Sequence, residues 1–254
     1  EIFTKNYPSM LTRNQLKLIL QLNQKKYRFK NRLFVAEGKK VVNELIQSDW
    51  SYQILFSIEE DFHKDAQLLS LDDMKKISHF KTPSPVLGVF ILPDTQKILG
   101  ESITIAVDGV NDPGNLGTII RLCDWFGLSE LVCSNTTVDC FNSKVIQASM
   151  GSIVRVRCHY VEDLGVELKE LKKPIYGTSV KGDSIYSTQL PKKASYVFGS
   201  ESHGISQSLS NLLSGEFSIP QLRDGKNKAE SLNVANASAI FLSELFRSNQ
   251  LSIK

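Results

Sequence analysis

The chain has 254 residues, 41% hydrophobic and 22% charged, with a formal net charge of +3. This length and composition are typical of one large or two small globular domains, and they exclude a low-complexity chain. No apolar stretch approaches the roughly 18 residues of a membrane span and no signal peptide is recognisable. We therefore expect a bacterial-type cytoplasmic protein without a membrane partner.

Basic residues are concentrated at the N-terminal end. Residues 1–40 contain ten Lys or Arg and two acidic residues, whereas the remaining 214 residues contain 20 basic and 25 acidic side chains. A basic end on a slightly acidic body is typical of a protein that binds a polyanion. A solvated helix surface explains the same pattern equally well.

The first part of the chain alternates between helical and strand-like patterns, which predicts a small α/β domain over residues 1–95. A polar stretch, residues 96–102, is expected to be a linker. In chain order, we predict a helix at 12–24, a strand at 33–36, a helix at 38–48, a strand at 52–57, a helix at 72–77 and a strand at 86–92. The basic stretch KKYRFKNR leads into the first of these strands.

Residues 103–254 continue the alternation and predict a mostly parallel sheet covered on both faces. One helix is expected to begin near Pro113 and to end at Gly127, which would serve as its C′ glycine. The other predicted helices are 144–150, 163–171, 206–213 and 232–247. The predicted strands are 103–107, 130–133, 154–160, 175–178, 196–198 and 216–219.

Three loops of this second domain have an unusual composition, and each follows a strand and leads into a helix. They are VDGVNDPGNLGTIIR (107–121), VFGSESHGIS (197–206) and FSIPQLRDGKNKAESLNVANAS (217–238). None matches a dinucleotide-binding glycine motif, a phosphate loop or a nucleophile elbow. Tight turns explain the glycines of any one loop. Ligands of α/β sheets bind beyond the carboxyl ends of strands, so three such loops in order indicate one shared site.

The three loops resemble the three motifs of the SpoU (TrmH-type) branch of the SPOUT methyltransferases. The first motif, N-x-G-x-x-x-R, is followed by a G-x-E-x-x-G motif and a third motif around IP and SLN. Residues 28–46 resemble the start of the substrate-binding domain often fused in front of these enzymes. The matching motif residues are Asn115, Gly117, Arg121, Gly199, Glu201, Gly204, Pro220, Ser231, Leu232 and Asn233.

The resemblance implies a C-terminal α/β SPOUT domain with a deep trefoil knot, preceded by a small α/β substrate-binding domain with a ribosomal-protein-like fold. It implies methyl transfer from S-adenosylmethionine to a ribose 2′-hydroxyl of RNA, in a homodimer whose active site borrows residues across the interface. Gly199, Ile219 and Leu232 are expected to bind the cofactor. The catalytic residues implied are Asn115, Arg121, Glu201, Ser231 and Asn233.

The roles of these residues leave alternatives open. A guanidinium is effectively always protonated, so we do not expect Arg121 to act as a base. We expect it to clamp an RNA phosphate and to stabilise oxyanion charge. The alternative is that Arg121 forms only a surface ion pair. Asn115 orients Arg121 or the RNA, or is a helix N-cap or turn residue. Glu201 holds Arg121 or a partner loop, or serves only helix-end electrostatics. Ser231 and Asn233 contact the ribose or fix the arginine, or Ser231 is a simple N-cap.

In the N-terminal domain we expect Arg28, Lys30 and Arg32 to contact RNA phosphates, with Tyr27 and Phe29 interleaved for base stacking. The longer third loop, residues 221–229, is either a basic flap over the RNA or a surface insertion. Its basic residues are Arg223, Lys226 and Lys228.

The four cysteines lack the spacing of a metal site, so no metal is expected. The resemblance implies ribosomal RNA as the substrate, because the simplest tRNA-specific members of the family lack the N-terminal domain. The alternatives are a tRNA 2′-O-methyltransferase and a non-catalytic RNA-binding or ribosome-assembly protein with this fold.

Overall fold

The structure is a computed structural model, and it describes residues 10–222 and 229–248. The chain divides into two compact units. The first comprises the described part of residues 1–94 together with Asp139–Val154, and the second comprises Thr95–Val138 together with the described residues from Arg155 onward. Asp139–Val154, which we expected in the second domain, therefore belongs by its contacts to the first unit.

Helices and strands are interspersed along the described chain. Up to Asp94 they are α1 (Arg13–Gln21), α2 (Lys25–Asn31), β1 (Leu33–Glu37), α3 (Lys39–Gln47), β2 (Tyr52–Ser57), β3 (Ala66–Leu68), α4 (Leu71–Ile77) and β4 (Val86–Ile91). From Thr95 they are β5 (Ile103–Asp108), α5 (Pro113–Trp125), β6 (Glu130–Ser134), α6 (Ser143–Ser149), β7 (Arg157–Val161), α7 (Leu164–Glu170), β8 (Ile175–Ser184), β9 (Ala194–Gly199), α8 (Gln207–Ser210), β10 (Gly215–Ser218) and α9 (Val234–Ser248).

The first unit contains a four-stranded sheet in the order β1-β4-β2-β3. β4 pairs antiparallel with β1 and β2, and β3 adds in parallel to β2. The Phe34 ring of β1 is fully buried, stacks on Phe90 at 5.7 Å and packs against Phe141 at 4.9 Å. The last of these contacts explains why the segment around α6 belongs to this unit.

The second unit contains a six-stranded sheet in the order β10-β8-β9-β5-β6-β7, in which every neighbouring pair is parallel. The predicted α/β class with a mostly parallel sheet is therefore confirmed. All residues of β5 and β6 are buried, as expected for central strands with both faces covered. The predicted end of α5 is also confirmed, because Gly127 adopts the left-handed φ of +72° just after it.

Several boundaries differ from the predictions. The basic stretch before β1 forms a helix, α2, and the three-residue strand β3 was not predicted. β7 begins at Arg157 rather than at residue 154, because Ser152–Val154 forms a 3₁₀ turn. α8 is a single turn, and β8 extends to Ser184. In the described part of the chain, no helix is long and apolar enough to cross a membrane.

Candidate active site

A cavity of about 400 Å³ lies in the second unit, where β9 and β10 end beside the middle of β8. These strands are parallel, so the loops that follow them meet at one edge of the sheet. Gly199, Ile219 and Leu232, the three residues expected to bind the cofactor, all line this cavity. Glu201 and Ser231 line it as well. Its volume lies within the range of small-molecule sites, about 300–1,000 Å³.

The inner wall of the cavity is aromatic. Phe198, Phe217 and Phe241 line it, and the ring of Phe241 lies 5.5 Å from that of Phe198 and 6.4 Å from that of Phe217. Tyr196 packs behind Phe241, and its hydroxyl donates to the carbonyl of Pro191 at 2.6 Å. Burial raises the pKa of Tyr196, so this hydroxyl stays protonated. Local sequence patterns did not identify these rings as part of the site, since they resemble ordinary core residues.

Gly199 is the last residue of β9, and the loop that follows it leaves no room for a side chain at this position. A Cβ at this position would lie 2.2 Å from the carbonyl carbon of Gly204. Ser200 and Gly204 exchange two backbone hydrogen bonds, of 3.1 and 2.8 Å, which fold the loop back on itself. The backbone of Gly204 is therefore what the glycine at position 199 accommodates.

A polar network joins the three predicted loops. Asn115 Nδ2 of the first loop donates to Glu201 Oε1 of the second at 2.5 Å. Asn233 Nδ2 of the third donates to Asn115 Oδ1 at 2.9 Å and to Glu201 Oε1 at 3.2 Å. Three catalytic candidates, separated by up to 118 positions in the chain, therefore hydrogen-bond to one another beside the cavity.

The helix-end contacts next to this network involve three residues whose roles were left open. Asp112 caps α5 by accepting the backbone N–H of Asn115 at 2.8 Å, so Asn115 is not the N-cap. Asn233 Oδ1 accepts the backbone N–H of Ala235 at 3.0 Å, a capping role that we had considered for Ser231. Glu201 Oε1 accepts the N–H of Val234 at 3.5 Å, so its helix-end interaction is with α9 rather than with the helix after Gly204.

Arg121 is exposed on α5. Within the described residues its guanidinium has no hydrogen-bond or ion-pair partner, and it is not among the residues that line the cavity. The alternative of a surface ion pair therefore finds no support in that part of the chain. The predicted contact of Arg121 with Glu201 is not formed either.

The RNA contact predicted for Arg28 is wrong in this structure. Arg28 is 2% exposed, and its Nε and Nη2 donate to Asp139 Oδ2 at 2.8 and 2.6 Å. Its Nη1 donates to the carbonyls of Leu22 and Asn23. All three guanidinium nitrogens donate to groups of the first unit, in four hydrogen bonds, so the buried Arg28 serves the structure of this unit rather than a ligand.

The other two N-terminal candidates lie at the surface. Lys30 is exposed on α2. Arg32 is also exposed, and its Nη2 donates to Asp94 Oδ1 at 2.6 Å and to the carbonyl of Leu92. Their contacts with RNA stay predictions.

The basic residues of the third loop, Arg223, Lys226 and Lys228, lie outside the described residues. On either side of that segment, Gln221 Nε2 donates to the carbonyl of Ala229 at 2.9 Å, so the two ends of the loop are joined. Within the described ranges, no group of three or more metal-ligating side chains is present.

The second unit is a parallel α/β domain with a small-molecule cavity at one edge of its sheet. Hydrogen-bonded polar side chains lie beside this cavity, as in an enzyme that binds a cofactor. The chain belongs to the SpoU rRNA methylase family, whose model matches residues 102–243. An MRM3-like substrate-binding domain matches residues 13–88. The resemblance predicted from the three motifs and from residues 28–46 is therefore confirmed.

Several known proteins and solved structures are similar over nearly the full chain. The 23S rRNA (guanosine(2553)-2′-O)-methyltransferase RlmP of Bacillus subtilis is 30% identical over 239 residues, which cover 89% of this chain and 93% of RlmP. A putative RNA methyltransferase of the TrmH family from Porphyromonas gingivalis is 35% identical with a TM-score of 0.83, covering 94% of this chain and 99% of that one. The AdoMet-bound rRNA methyltransferase of Sinorhizobium meliloti is 28% identical with a TM-score of 0.79, covering 94% and 96%.

The cavity residues suit S-adenosylmethionine. Aromatic and aliphatic side chains provide an apolar wall for a nucleoside base, and Thr178, Ser179 and Glu216 add hydrogen-bonding groups. Gly199, the last residue of β9, and Ile219, just after β10, also line the cavity. The chemistry of the wall therefore fits a nucleoside with a charged tail.

Proposed function

We propose that this protein transfers a methyl group from S-adenosylmethionine to a ribose 2′-hydroxyl of ribosomal RNA. The observation that carries the proposal is the hydrogen-bonded network of Asn115, Glu201 and Asn233, which joins three loops beside the cavity. Family membership and the rRNA 2′-O-methyltransferases among the relatives support it.

Gly199, Ile219 and Leu232 would hold the cofactor in the cavity that they line. When bound, S-adenosylmethionine supplies a methyl group that its sulfonium already activates, so much of the rate comes from positioning. Glu201, Asn115 and Asn233 fix the loops around the reacting groups. Ser231, on the cavity rim, contacts the ribose.

Arg121 acts on the substrate. Its guanidinium is exposed and has no partner among the described residues, so it is available to a phosphate. A planar, permanently charged guanidinium binds two phosphate oxygens and stabilises negative charge that develops on the attacking hydroxyl.

We also retain the predicted trefoil knot and the predicted homodimer, in which the partner supplies part of the active site.

The first unit binds the RNA through the exposed side of α2. The Phe29 ring is 52% exposed, the ammonium of Lys25 lies 5.9 Å from its centroid, and Lys26 and Lys30 are exposed on the same helix. Side chains three or four apart are neighbours on a helix, so Lys25 and Lys26 lie beside the Phe29 ring. An exposed aromatic ring among lysines is suited to an unstacked base and its phosphates.

Calorimetric titration of the full chain with S-adenosylmethionine tests the enzyme class. Saturable binding in a one-to-one ratio with the subunit is expected, and no binding would favour a non-catalytic RNA-binding protein. Binding of 23S rRNA fragments and of tRNA, each measured at several salt concentrations, then tests the substrate. Tighter binding of tRNA would indicate a tRNA methyltransferase instead of an rRNA enzyme. In either case we expect the protein to act in the cytoplasm.

A further inference from the structure

Glu216 was not singled out by any sequence motif, yet its side chain lines the cavity. We propose that Glu216 is a specificity-determining residue that favours the positively charged S-adenosylmethionine over the product S-adenosylhomocysteine. The inference rests on the proposed function and concerns the same cavity.

An irregularity in the sheet turns Glu216 toward the cavity. Glu216 pairs with Gly177 of β8, but the next residue, Phe217, pairs with Asp183, so the register shifts between them. Successive side chains of a regular strand point to opposite faces, whereas a bulge interrupts that alternation. Glu216 and Phe217 accordingly line the same cavity.

The carboxylate is held in place on the side of β8. Ser179 Oγ donates to Glu216 Oε2 at 2.8 Å and accepts the backbone N–H of Lys181 at 3.2 Å. A Cβ on Gly182 would lie 2.4 Å from the carbonyl carbon of Glu216, so the bulged segment of β8 packs directly on the backbone of this residue. Glu216 Oε1 has no partner among the described residues.

The described lining of the cavity carries negative charge only. It contains Glu201, Glu216 and Glu230 but no lysine, arginine or histidine. Glu201 and Glu230 are exposed, and Glu201 already accepts three N–H groups. Glu216 is half-buried, so solvent and salt screen its charge less than those of the other two carboxylates.

The charge of the ligand changes during the reaction. Loss of the methyl group leaves its bonding electron pair on sulfur and converts a positive sulfonium into a neutral thioether. The ammonium and carboxylate of the amino-acid tail balance each other in both molecules, so the substrate carries one net positive charge and the product carries none. A negative wall therefore stabilises the substrate complex more than the product complex.

Calorimetry on Glu216→Gln with both ligands tests this inference. The glutamine retains the hydrogen bond from Ser179 but removes the charge. We expect the Kd for S-adenosylmethionine to rise about tenfold, or about 1.4 kcal/mol, and that for S-adenosylhomocysteine to rise less than about twofold. Glu216→Asp, which keeps the charge, should retain most of the discrimination between the two ligands.

Glu170→Gln is the matched control, because Glu170 is exposed on α7 and lies outside the cavity lining. It should leave both Kd values unchanged. Equal weakening of the two ligands by Glu216→Gln would overturn the inference, as would unchanged binding of both. Failure of the wild type to bind S-adenosylmethionine would instead overturn the proposed function and the inference together.

Discussion

Two polar clusters connect distant parts of this chain, and they differ in burial. In the first unit, Arg28 and Asp139 form an ion pair whose side chains are 3% and 4% exposed. In the second unit, the Asn115, Glu201 and Asn233 side chains hydrogen-bond at the surface beside a cavity. Both clusters join residues more than 80 positions apart.

Burial separates a cluster that stabilises the fold from a cluster that positions catalytic groups. Removing one partner of a buried pair leaves an uncompensated charge without access to water, so the penalty falls on folding. An exposed network keeps its water, and what it controls is the position of the loops that surround the ligand. We therefore expect substitutions in the first cluster to change stability and substitutions in the second to change catalysis.

The largest effect is expected at Arg28. Arg28→Ala should lower the free energy of unfolding by about 3–5 kcal/mol, because Asp139 stays buried without its partner. Urea unfolding of the full chain measures the loss. Lys75→Gln is the control, since its ion pair with Asp72 is exposed and should contribute less than about 1 kcal/mol. A destabilisation as small as that of Lys75→Gln would remove the contrast between the two clusters.

Arg121 should show the reverse behaviour. Arg121→Lys keeps a positive charge but loses the bidentate fork, so methyl transfer should slow about 100-fold, or about 2.7 kcal/mol. The unfolding free energy and the affinity for S-adenosylmethionine should stay at wild-type values. Turnover is measured with saturating cofactor and RNA. Near-normal turnover would rule out the clamp role.

Glu201 tests the network itself. Glu201→Gln removes the negative charge that accepts three N–H groups, so we expect methyl transfer to fall about tenfold, or about 1.4 kcal/mol. Stability should change by less than about 1 kcal/mol because the side chain is exposed. A large loss of stability with unchanged turnover per folded molecule would mean that this network, like the Arg28–Asp139 pair, serves the fold rather than catalysis.

The smallest effect is expected for the RNA surface on α2. Phe29→Ala should weaken RNA binding about fivefold, or about 1 kcal/mol, since one stacking contact is lost. Leu71→Ala is the control, because Leu71 is similarly exposed, at 51%, on α4 of the same unit. Fluorescence anisotropy with labelled rRNA fragments compares the two variants. Equal affinities would remove Phe29 from the binding surface.

Much of the fold was predictable because its signals are local. Apolar periodicity identified α1, α3, α5 and α9, and the strands β2 and β5 were placed within one residue of their observed ends. α2 escaped prediction, because its seven residues, KKYRFKN, have no apolar stripe and its N-cap Gln24 makes no side-chain cap. β3 was too short, at three residues, to show alternation.

The sequence motifs predicted which loops form the site, but they did not predict which side chains contact one another. The motifs placed Gly199, Ile219 and Leu232 together, and all three line one cavity. The burial of Arg28 depends on Asp139, which lies 111 positions away, and no local pattern in KKYRFKNR reveals it. Glu216 depends on a register shift in the sheet, which a linear sequence does not show.

The most direct test of the central claim is mass spectrometry of the nucleosides from 23S rRNA treated with the protein and S-adenosylmethionine. We predict a single 2′-O-methylated nucleoside that the wild type forms and that Arg121→Lys forms about 100-fold more slowly. Methylation of a base, or no methylation of rRNA by a protein that binds the cofactor, would contradict the account.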